Sequence, residues 1–235
     1  MIGLELNGAR VAFSTRQGGV SEGPYASLNL GILTDDDQTR VTENRSRLAE
    51  ALQLDPKRIA MGWQVHGTEL KEWQAAPDKG GYAHAGAELA KVDAHATGER
   101  ALALLVLAAD CLPVALAAKD RVAILHCGWR GLAAGIVESA LETFPEPPAA
   151  ALGPSIEQCC YEVGPEVLEA FAGIPEAADG RMLSLRTVAR TKLEAAGVTQ
   201  IKSVGICTSC REDLFFSHRR DNGVTGRQAG IIWRT

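Results

Sequence analysis

Three strongly apolar runs, residues 101–109, 112–118 and 122–127, most constrain what this chain can fold into. Apolar runs of this length, bounded by turn residues, predict buried strands. Asp110 and Pro113 interrupt the apolar stretch from residue 101 to residue 118, and charged residues end it, so buried strands are favoured over a membrane helix. The sequence therefore predicts a sheet core with polar side chains delivered where strands end.

Cys111 and His126 lie near the ends of two runs that Lys119-Asp120 connects. If that connection is a two-residue turn, Pro113 lies opposite His126. Cys111 then shares a face with His126, because side chains alternate along a strand, while Cys127 points the other way. A three-residue turn would separate Cys111 from His126. The pair could serve as nucleophile and base or as two ligands of a soft metal.

His66 is a third candidate ligand, since it follows the strand predicted over residues 59–65 and precedes Gly67. A catalytic zinc ion takes three protein ligands and leaves a position for water. The alternative is structural: a lone cysteine is often a small buried apolar residue, and a strand-end histidine is often only hydrogen-bonded. The remaining histidines lie in or beside polar segments: His84, His95 and His218.

The other cysteines leave several interpretations open. Cys207 and Cys210 have CxxC spacing, and Cys159-Cys160 could complete a set of four ligands; buried thiols or redox activity are the alternatives. Six cysteines without a visible secretory signal predict reduced thiols and a cytoplasmic location.

Composition excludes several classes of partner. The formal net charge of −5 provides no electrostatic footprint for nucleic acid or an anionic membrane. Five histidines with no His-x-His pair argue against multicopper oxidase chemistry. The length of 235 residues suits one domain over residues 1–235.

Helices are predicted where apolar residues recur with helical spacing. The predicted helices cover residues 36–52, 132–144, 166–171 and 184–196. Glycines and Pro77 predict that residues 75–91 form an exposed excursion. Helices interspersed with buried strands indicate an α/β (α+β) fold, a single-domain sandwich with mixed sheet.

Several motifs together resemble the YfiH/laccase-domain family, whose members are also called polyphenol oxidase or multicopper-oxidase-like. The segments that carry the resemblance are residues 13–31, 64–67, 109–114, 126–131, 153–164 and 215–233. The resemblance implies a mixed α/β sandwich related to a cysteine hydrolase fold. It also implies a zinc site formed by His66, Cys111 and His126, which would be the catalytic residues as well.

The resemblance further implies activity on purine nucleosides: phosphorolysis of adenosine, inosine and methylthioadenosine, and deamination of adenosine. Zinc is favoured over copper as the cofactor, and nucleosides and phosphate are the expected small-molecule partners. The forked N–H donors of an arginine guanidinium match the oxygens of phosphate. The predicted substrate-binding residues are therefore three arginines inside these motifs: Arg16, Arg130 and Arg220. Cys127 and His95 depart from the usual pattern of the family and could alter the choice of metal.

Other functions remain possible at the same residues. Cys111 as thiolate with His126 as base could hydrolyse an amide in a muramyl peptide, as in the peptidoglycan editing to which bacterial relatives have been linked. A non-catalytic zinc-binding or nucleotide-sensing module would bind inosine without turnover. Polyphenol oxidase (laccase) activity is the least favoured, given the number of histidines.

Overall fold

The computed structural model describes residues 1–77, 81–82 and 89–235, and its strands and helices alternate along the chain. The strands are β1 (Ile2–Leu6), β2 (Ala9–Phe13), β3 (Ile59–Ala60), β4 (Leu70–Trp73), β5 (Ala94–Thr97), β6 (Ala103–Ala108), β7 (Leu112–Ala117), β8 (Val122–Cys127), β9 (Ala149–Leu152), β10 (Ala178–Asp179), β11 (Met182–Leu183), β12 (Ile201–Ser203) and β13 (Gln228–Arg234). The helices are α1 (Gln38–Leu52), α2 (Trp129–Ala134), α3 (Ile136–Leu141), α4 (Pro165–Ala170) and α5 (Leu185–Ala195).

Two mixed sheets form the centre of the described structure. One has the strand order β1-β2-β13-β6-β3 and the other β12-β9-β7-β8-β5-β4, with β10 and β11 forming a separate small hairpin. Parallel pairing joins β3 to β6, β4 to β5 and β9 to β12, whereas the other pairs are antiparallel. The predicted α/β sandwich with mixed sheet is therefore confirmed.

The apolar side chains are distributed over three clusters, which define four layers. Val11 and Phe13 of the first sheet pack with Ala115 and Ile124 of the second, so the two sheets face each other. The outer face of the second sheet is covered by α2, α3 and α5. The outer face of the first sheet packs against α1. Because β7 and β8 are covered on both faces, every residue in them is buried, which explains their unbroken apolar sequence.

The β7–β8 hairpin has the predicted register. Pro113 pairs with His126 and Ala117 with Val122, and the N–H of Ala118 donates to the carbonyl of Arg121 at 2.9 Å. The start of β7 and the end of β8 therefore lie at the same edge of the sheet. This edge carries the candidate site.

Some predicted elements differ from those observed. The helix predicted over residues 132–144 is divided into α2 and α3 at Gly135, whose φ of 98° is left-handed and ends α2. The strand predicted over residues 59–65 stops at Ala60. In the predicted excursion over residues 75–91, Tyr82 is fully buried in the apolar cluster beneath α1, and its hydroxyl donates to the carbonyl of Arg45. Residues 78–80 and 83–88, including His84, lie outside the described residues.

Helix α1 begins at a capping residue that the sequence places directly before it. The carboxylate of Asp37 accepts hydrogen bonds from the N–H groups of Thr39 and Arg40, two of the N–H groups that the helix itself leaves unpaired.

In the described part of the chain, no helix combines the length and the apolar character that a membrane crossing requires.

Candidate metal centre

His66, Cys111 and His126 converge at the open edge of the β7–β8 hairpin. Their ligand atoms all lie within 4.8 Å of one another, and the two imidazole rings meet edge to face with centroids 4.9 Å apart. His126 is buried, Cys111 is half-buried and His66 is exposed. The three side chains thus form a cluster with one side open to solvent, as a catalytic metal site requires.

The carboxylate of Asp93 fixes the positions of His66 and His126. This buried carboxylate accepts hydrogen bonds from the N–H groups of Val65, His66 and Gly67 at 2.8–2.9 Å. The same carboxylate lies 2.8 Å from Nδ1 of His126. The left-handed φ of 62° at His66 is therefore supported by a turn wrapped around a carboxylate. Because Nδ1 of His126 faces Asp93, Nε2 is the nitrogen free to bind a metal.

The charges at this site reinforce one another. Burial opposes the ionised form of Cys111, but the facing imidazole of His126 and hydrogen bonds from both histidines outweigh it and lower the pKa of the thiol. Burial likewise opposes the charged form of His126, but the Cys111 thiolate and Asp93 raise the pKa of this imidazole. In the same way, hydrogen bonds from His126 and the backbone outweigh burial and lower the pKa of Asp93. Cys111 is therefore readily ionised, which suits both a metal ligand and a nucleophile.

Asp110 fixes the segment that carries Cys111. Its carboxylate accepts hydrogen bonds from the hydroxyls of Thr208 and Ser217, at 2.6 Å and 3.0 Å, and from the N–H of Arg219 at 2.7 Å. Its φ of 94° is left-handed, and these bonds compensate for the strain. The closing part of the chain thereby determines where β7 begins and where the thiol lies.

Gly128 makes room for the cluster where β8 turns into α2. A Cβ atom at this position would lie 2.9 Å from Cδ2 of His66 and 3.2 Å from Sγ of Cys111. Gly131 in α2 approaches the same turn closely, since its Cβ would lie 2.9 Å from the carbonyl oxygen of Gly67. The glycines of the segment that follows His126 are thus required by the packing of the site.

The three predicted substrate-binding arginines have different surroundings. Arg130 is exposed beside the site at the start of α2, stacks on Trp129, and has no hydrogen-bond partner for its guanidinium in the part of the chain described. Arg16 donates to the carbonyls of Ala26 and Glu212. Arg220 is the most fully engaged.

The guanidinium of Arg220 donates to the carbonyls of Thr208, Ser209 and Phe215 and pairs with Asp221. These bonds give Arg220 a structural role in the closing segment. Of the three arginines, Arg130 is the one whose guanidinium makes no hydrogen bond to the described residues.

Sequence reasoning did not single out three further residues of this region. Asp93 lies directly before the buried strand β5, and its local sequence does not indicate its partners. Arg227 lies close enough to Cys111 and Asp110 for their charges to oppose the lowering of its pKa by burial. Burial and the nearby Cys111 thiolate raise the pKa of Tyr161 to about 12, so its hydroxyl stays protonated at neutral pH.

The two residues noted as departures from the family pattern lie outside the cluster of three ligands. Cys127 is fully buried in the core between the second sheet and the helices, as the alternation along β8 predicted. His95 is fully buried in β5, where its Nδ1 accepts a hydrogen bond from the indole of Trp73 at 3.1 Å. Burial lowers the pKa of His95 to about 3, so this imidazole is neutral.

The fold and the cluster define a class of protein: a two-sheet α/β sandwich with an open site of two imidazoles and one thiol at a sheet edge. The chain belongs to the family described as multi-copper polyphenol oxidoreductase laccase, whose family model matches residues 10–235. The resemblance to the YfiH/laccase-domain family is thereby confirmed.

Relatives match nearly the whole chain. Purine nucleoside phosphorylase YfiH of Escherichia coli is 39% identical, with 96% of this chain and 94% of the relative covered. Purine nucleoside phosphorylase YlmD of Geobacillus stearothermophilus is 36% identical, with 97% and 90% covered. The crystal structure of that YlmD superposes with a TM-score of 0.91 over 97% of this chain and 93% of the other, again at 36% identity. The structure of the Bacillus licheniformis hypothetical protein YfiH gives a TM-score of 0.90 at 32% identity, with 97% and 93% covered.

Proposed function

We propose that this protein is a zinc-dependent purine nucleoside enzyme whose main reaction is phosphorolysis. The observation that carries the proposal is the open cluster of His66, Cys111 and His126. Beside it lies the guanidinium of Arg130, which makes no hydrogen bond to any residue that the structure describes. The names of the full-length relatives, which are purine nucleoside phosphorylases, support the choice of substrate class.

The donor atoms suit zinc. Two imidazole nitrogens and one thiolate sulfur form the mixed set of borderline and soft ligands that zinc accepts, and Gly128 keeps the space beside them free. Asp93 fixes the tautomer of His126, as the partner of a ligating histidine usually does. When bound, zinc would supply a Lewis acid that polarises a substrate atom or water.

Phosphorolysis requires phosphate to attack C1′ of the ribose while the bond to N9 of the purine breaks. The nucleoside and phosphate become a free purine and ribose 1-phosphate. We assign the phosphate to Arg130, with Arg227 as a second cation close to Cys111. Tyr161 retains its proton and can donate a hydrogen bond to the substrate. Trp63 and Val65, which are 45% and 46% exposed, provide apolar surface for a base on the segment that carries His66.

The decisive experiment measures hypoxanthine release from inosine with and without phosphate. Wild-type protein is expected to release hypoxanthine only with phosphate. The Arg130→Ala variant should lose roughly 10–100-fold in kcat/KM while retaining its zinc, because a charge-assisted contact to phosphate is lost. Arg121→Ala is the matched control, since Arg121 pairs with Glu72 at the opposite end of the hairpin. Full activity of Arg130→Ala would remove Arg130 from the mechanism, and phosphate-independent release would overturn phosphorolysis.

We further propose that the substrate range includes adenosine and methylthioadenosine, and that adenosine is also deaminated. Deamination replaces the C6 amino group with an oxygen from water and releases ammonia. We expect the protein to act in the cytoplasm on free nucleosides rather than nucleic acid, in agreement with its net charge of −5. Ammonia release from adenosine, measured beside adenine release, separates the two reactions.

A second candidate function is supported by a separate observation. Asp93, His126 and Cys111 are arranged as orienting carboxylate, base and nucleophile, as in a cysteine hydrolase. Such an enzyme would attack an amide carbonyl, for example in a muramyl peptide, with the Cys111 thiolate. Chelation distinguishes the two candidates, because metal bound to the sulfur blocks nucleophilic attack. A zinc enzyme loses activity on chelation, whereas a cysteine amidase retains or gains it.

A further inference from the structure

Four cysteines outside the candidate metal centre converge from two distant segments. Cys159 and Cys160 follow β9, whereas Cys207 and Cys210 follow β12. Their sulfur atoms all lie within 4.8 Å of one another, and Sγ of Cys210 is 3.5 Å from that of Cys159 and 3.4 Å from that of Cys160. We call this group the four-cysteine cluster.

The spacing of the sulfur atoms fits a shared metal ion. A tetrahedral ion about 2.3 Å from each of four sulfurs places neighbouring sulfurs about 3.8 Å apart. Two of the sulfur–sulfur distances in the four-cysteine cluster, 3.4 Å and 3.5 Å, are slightly shorter than this value, none exceeds 4.8 Å, and all four thiols are unbridged. Only small adjustments of the side chains would bring the four sulfurs into ligating positions.

Hydrogen bonds fix the backbone around the cluster. Ser155 forms an isolated parallel bridge with Cys207, and the N–H of Thr208 donates to the carbonyl of Ser155 at 3.0 Å. The N–H of Glu157 points at Sγ of Cys207, 3.4 Å away, a hydrogen bond that favours the thiolate form. Cys207 is buried, while Cys159 and Cys210 are exposed, so one side of the cluster packs against the protein and the other side is open to an ion from solvent.

We propose that Cys159, Cys160, Cys207 and Cys210 form a second, structural metal site that binds zinc through four thiolates. Four protein ligands leave no position for substrate, so this ion is distinct in role from one held by His66, Cys111 and His126. It ties the loop after β9 to the segment whose Thr208 holds Asp110.

The proposed ion thereby supports the position of Cys111 through Thr208 and Asp110. It does so without touching the reacting groups. The proposal does not depend on which reaction the candidate metal centre catalyses.

The first test is the metal content of protein purified without a metal-affinity column. Wild-type protein should carry about two zinc ions per chain, and the Cys159→Ser/Cys210→Ser double variant about one. Cys111→Ser should also carry about one, because it removes a ligand of the other centre. Cys127→Ala, which alters a buried thiol outside both sites, is the matched control and should keep both ions.

Cobalt substitution identifies which ion each variant has lost. A tetrahedral cobalt ion with four thiolates absorbs strongly in the red, and this band should persist in Cys111→Ser and disappear in Cys159→Ser/Cys210→Ser. Unchanged zinc content and an unchanged red band in the double variant would overturn the proposal.

A measurement on wild-type protein covers the case in which the double variant fails to fold. The cysteines of the cluster should resist alkylation by iodoacetamide until EDTA removes the metal, as read by mass spectrometry of the peptides. Equal alkylation with and without EDTA would overturn the proposal. A mass lower by two hydrogens before reduction, with the loss located in this cluster, would assign the cysteines to a disulfide and overturn it too.

Discussion

Replacing Asp93 with asparagine should weaken zinc binding at the candidate metal centre by changing the tautomer of His126. The carboxylate of Asp93 faces four donors and has no exposed surface. Oδ1 faces the N–H of His66 and Nδ1 of His126, whereas Oδ2 accepts from the N–H groups of Val65 and Gly67. An asparagine must direct its NH2 group toward one of these two pairs.

The magnitudes decide which pair it faces. Toward Val65 and Gly67, two partly buried N–H groups lose their acceptor, which costs at most about 2–6 kcal/mol at about 1–3 kcal/mol for a fully buried group. Toward His66 and His126, only the N–H of His66 loses its acceptor, at about 1–3 kcal/mol, because Nδ1 of His126 can become an acceptor. That orientation is favoured, but it moves the proton of His126 to Nε2, which can then no longer bind zinc.

Zinc affinity should accordingly fall by at least roughly 10–100-fold, the usual effect of losing the partner of a ligating histidine. Competition with a chromophoric chelator measures the affinity, and nitrogen NMR of the histidines identifies the tautomer. Asp36→Asn is the control, since its carboxylate accepts from Ser21 and Asn29 away from the site. Zinc affinity within about twofold of wild type, with Nδ1 of His126 still protonated in the metal-free variant, would refute the reasoning.

Three further substitutions test other parts of the structure. Gly128→Ala should lower zinc affinity roughly 10–100-fold, because its Cβ would contact His66 and Cys111 at 2.9 Å and 3.2 Å. Calorimetric titration with zinc measures the affinity. An unchanged affinity would contradict the close approach of Gly128 to these two side chains. Asp37→Ala should lower the free energy of unfolding by about 1 kcal/mol through loss of the α1 cap, as urea denaturation would report, with zinc affinity unchanged. Gly135→Ala should cost about 1–2 kcal/mol in the same assay because φ is 98°; a stabilised variant would contradict a left-handed junction between the two helices.

The part of the fold nearest the candidate site was the most predictable from sequence. The two-residue turn at Lys119-Asp120 sets the parity of the hairpin and hence its register; the apolar pattern alone does not, because both faces of β7 and β8 are buried. With that register, the alternation of side chains places Cys111 on the same face as His126 and leaves Cys127 on the opposite one. Local periodicity and a short turn were sufficient here.

Interactions between segments distant in sequence were less predictable from the sequence. Asp93 is separated by 28 residues from Val65 and by 33 from His126, and nothing in its local sequence announces four hydrogen-bonding partners. Arg220 lies among arginines and turn residues typical of an anion site, yet backbone carbonyls and Asp221 occupy its donors. Such partners are determined by how the closing segment folds over the sheet edge, which periodicity does not encode.

Cys127 lies on the face of β8 that packs against the helices, where its reactivity can report on the opening of the helical layer. Cys127 is fully buried under the helical layer, and burial followed by the nearby Cys111 thiolate raises the pKa of its thiol, so it stays protonated and unreactive in the folded state. A reagent can reach Cys127 only when α2 and α3 separate from the sheet. Its rate of alkylation therefore measures the opening of that layer, a partial unfolding distinct from global denaturation. Comparing this rate in metal-loaded and metal-free protein would reveal how far the stabilisation by metal spreads into the core.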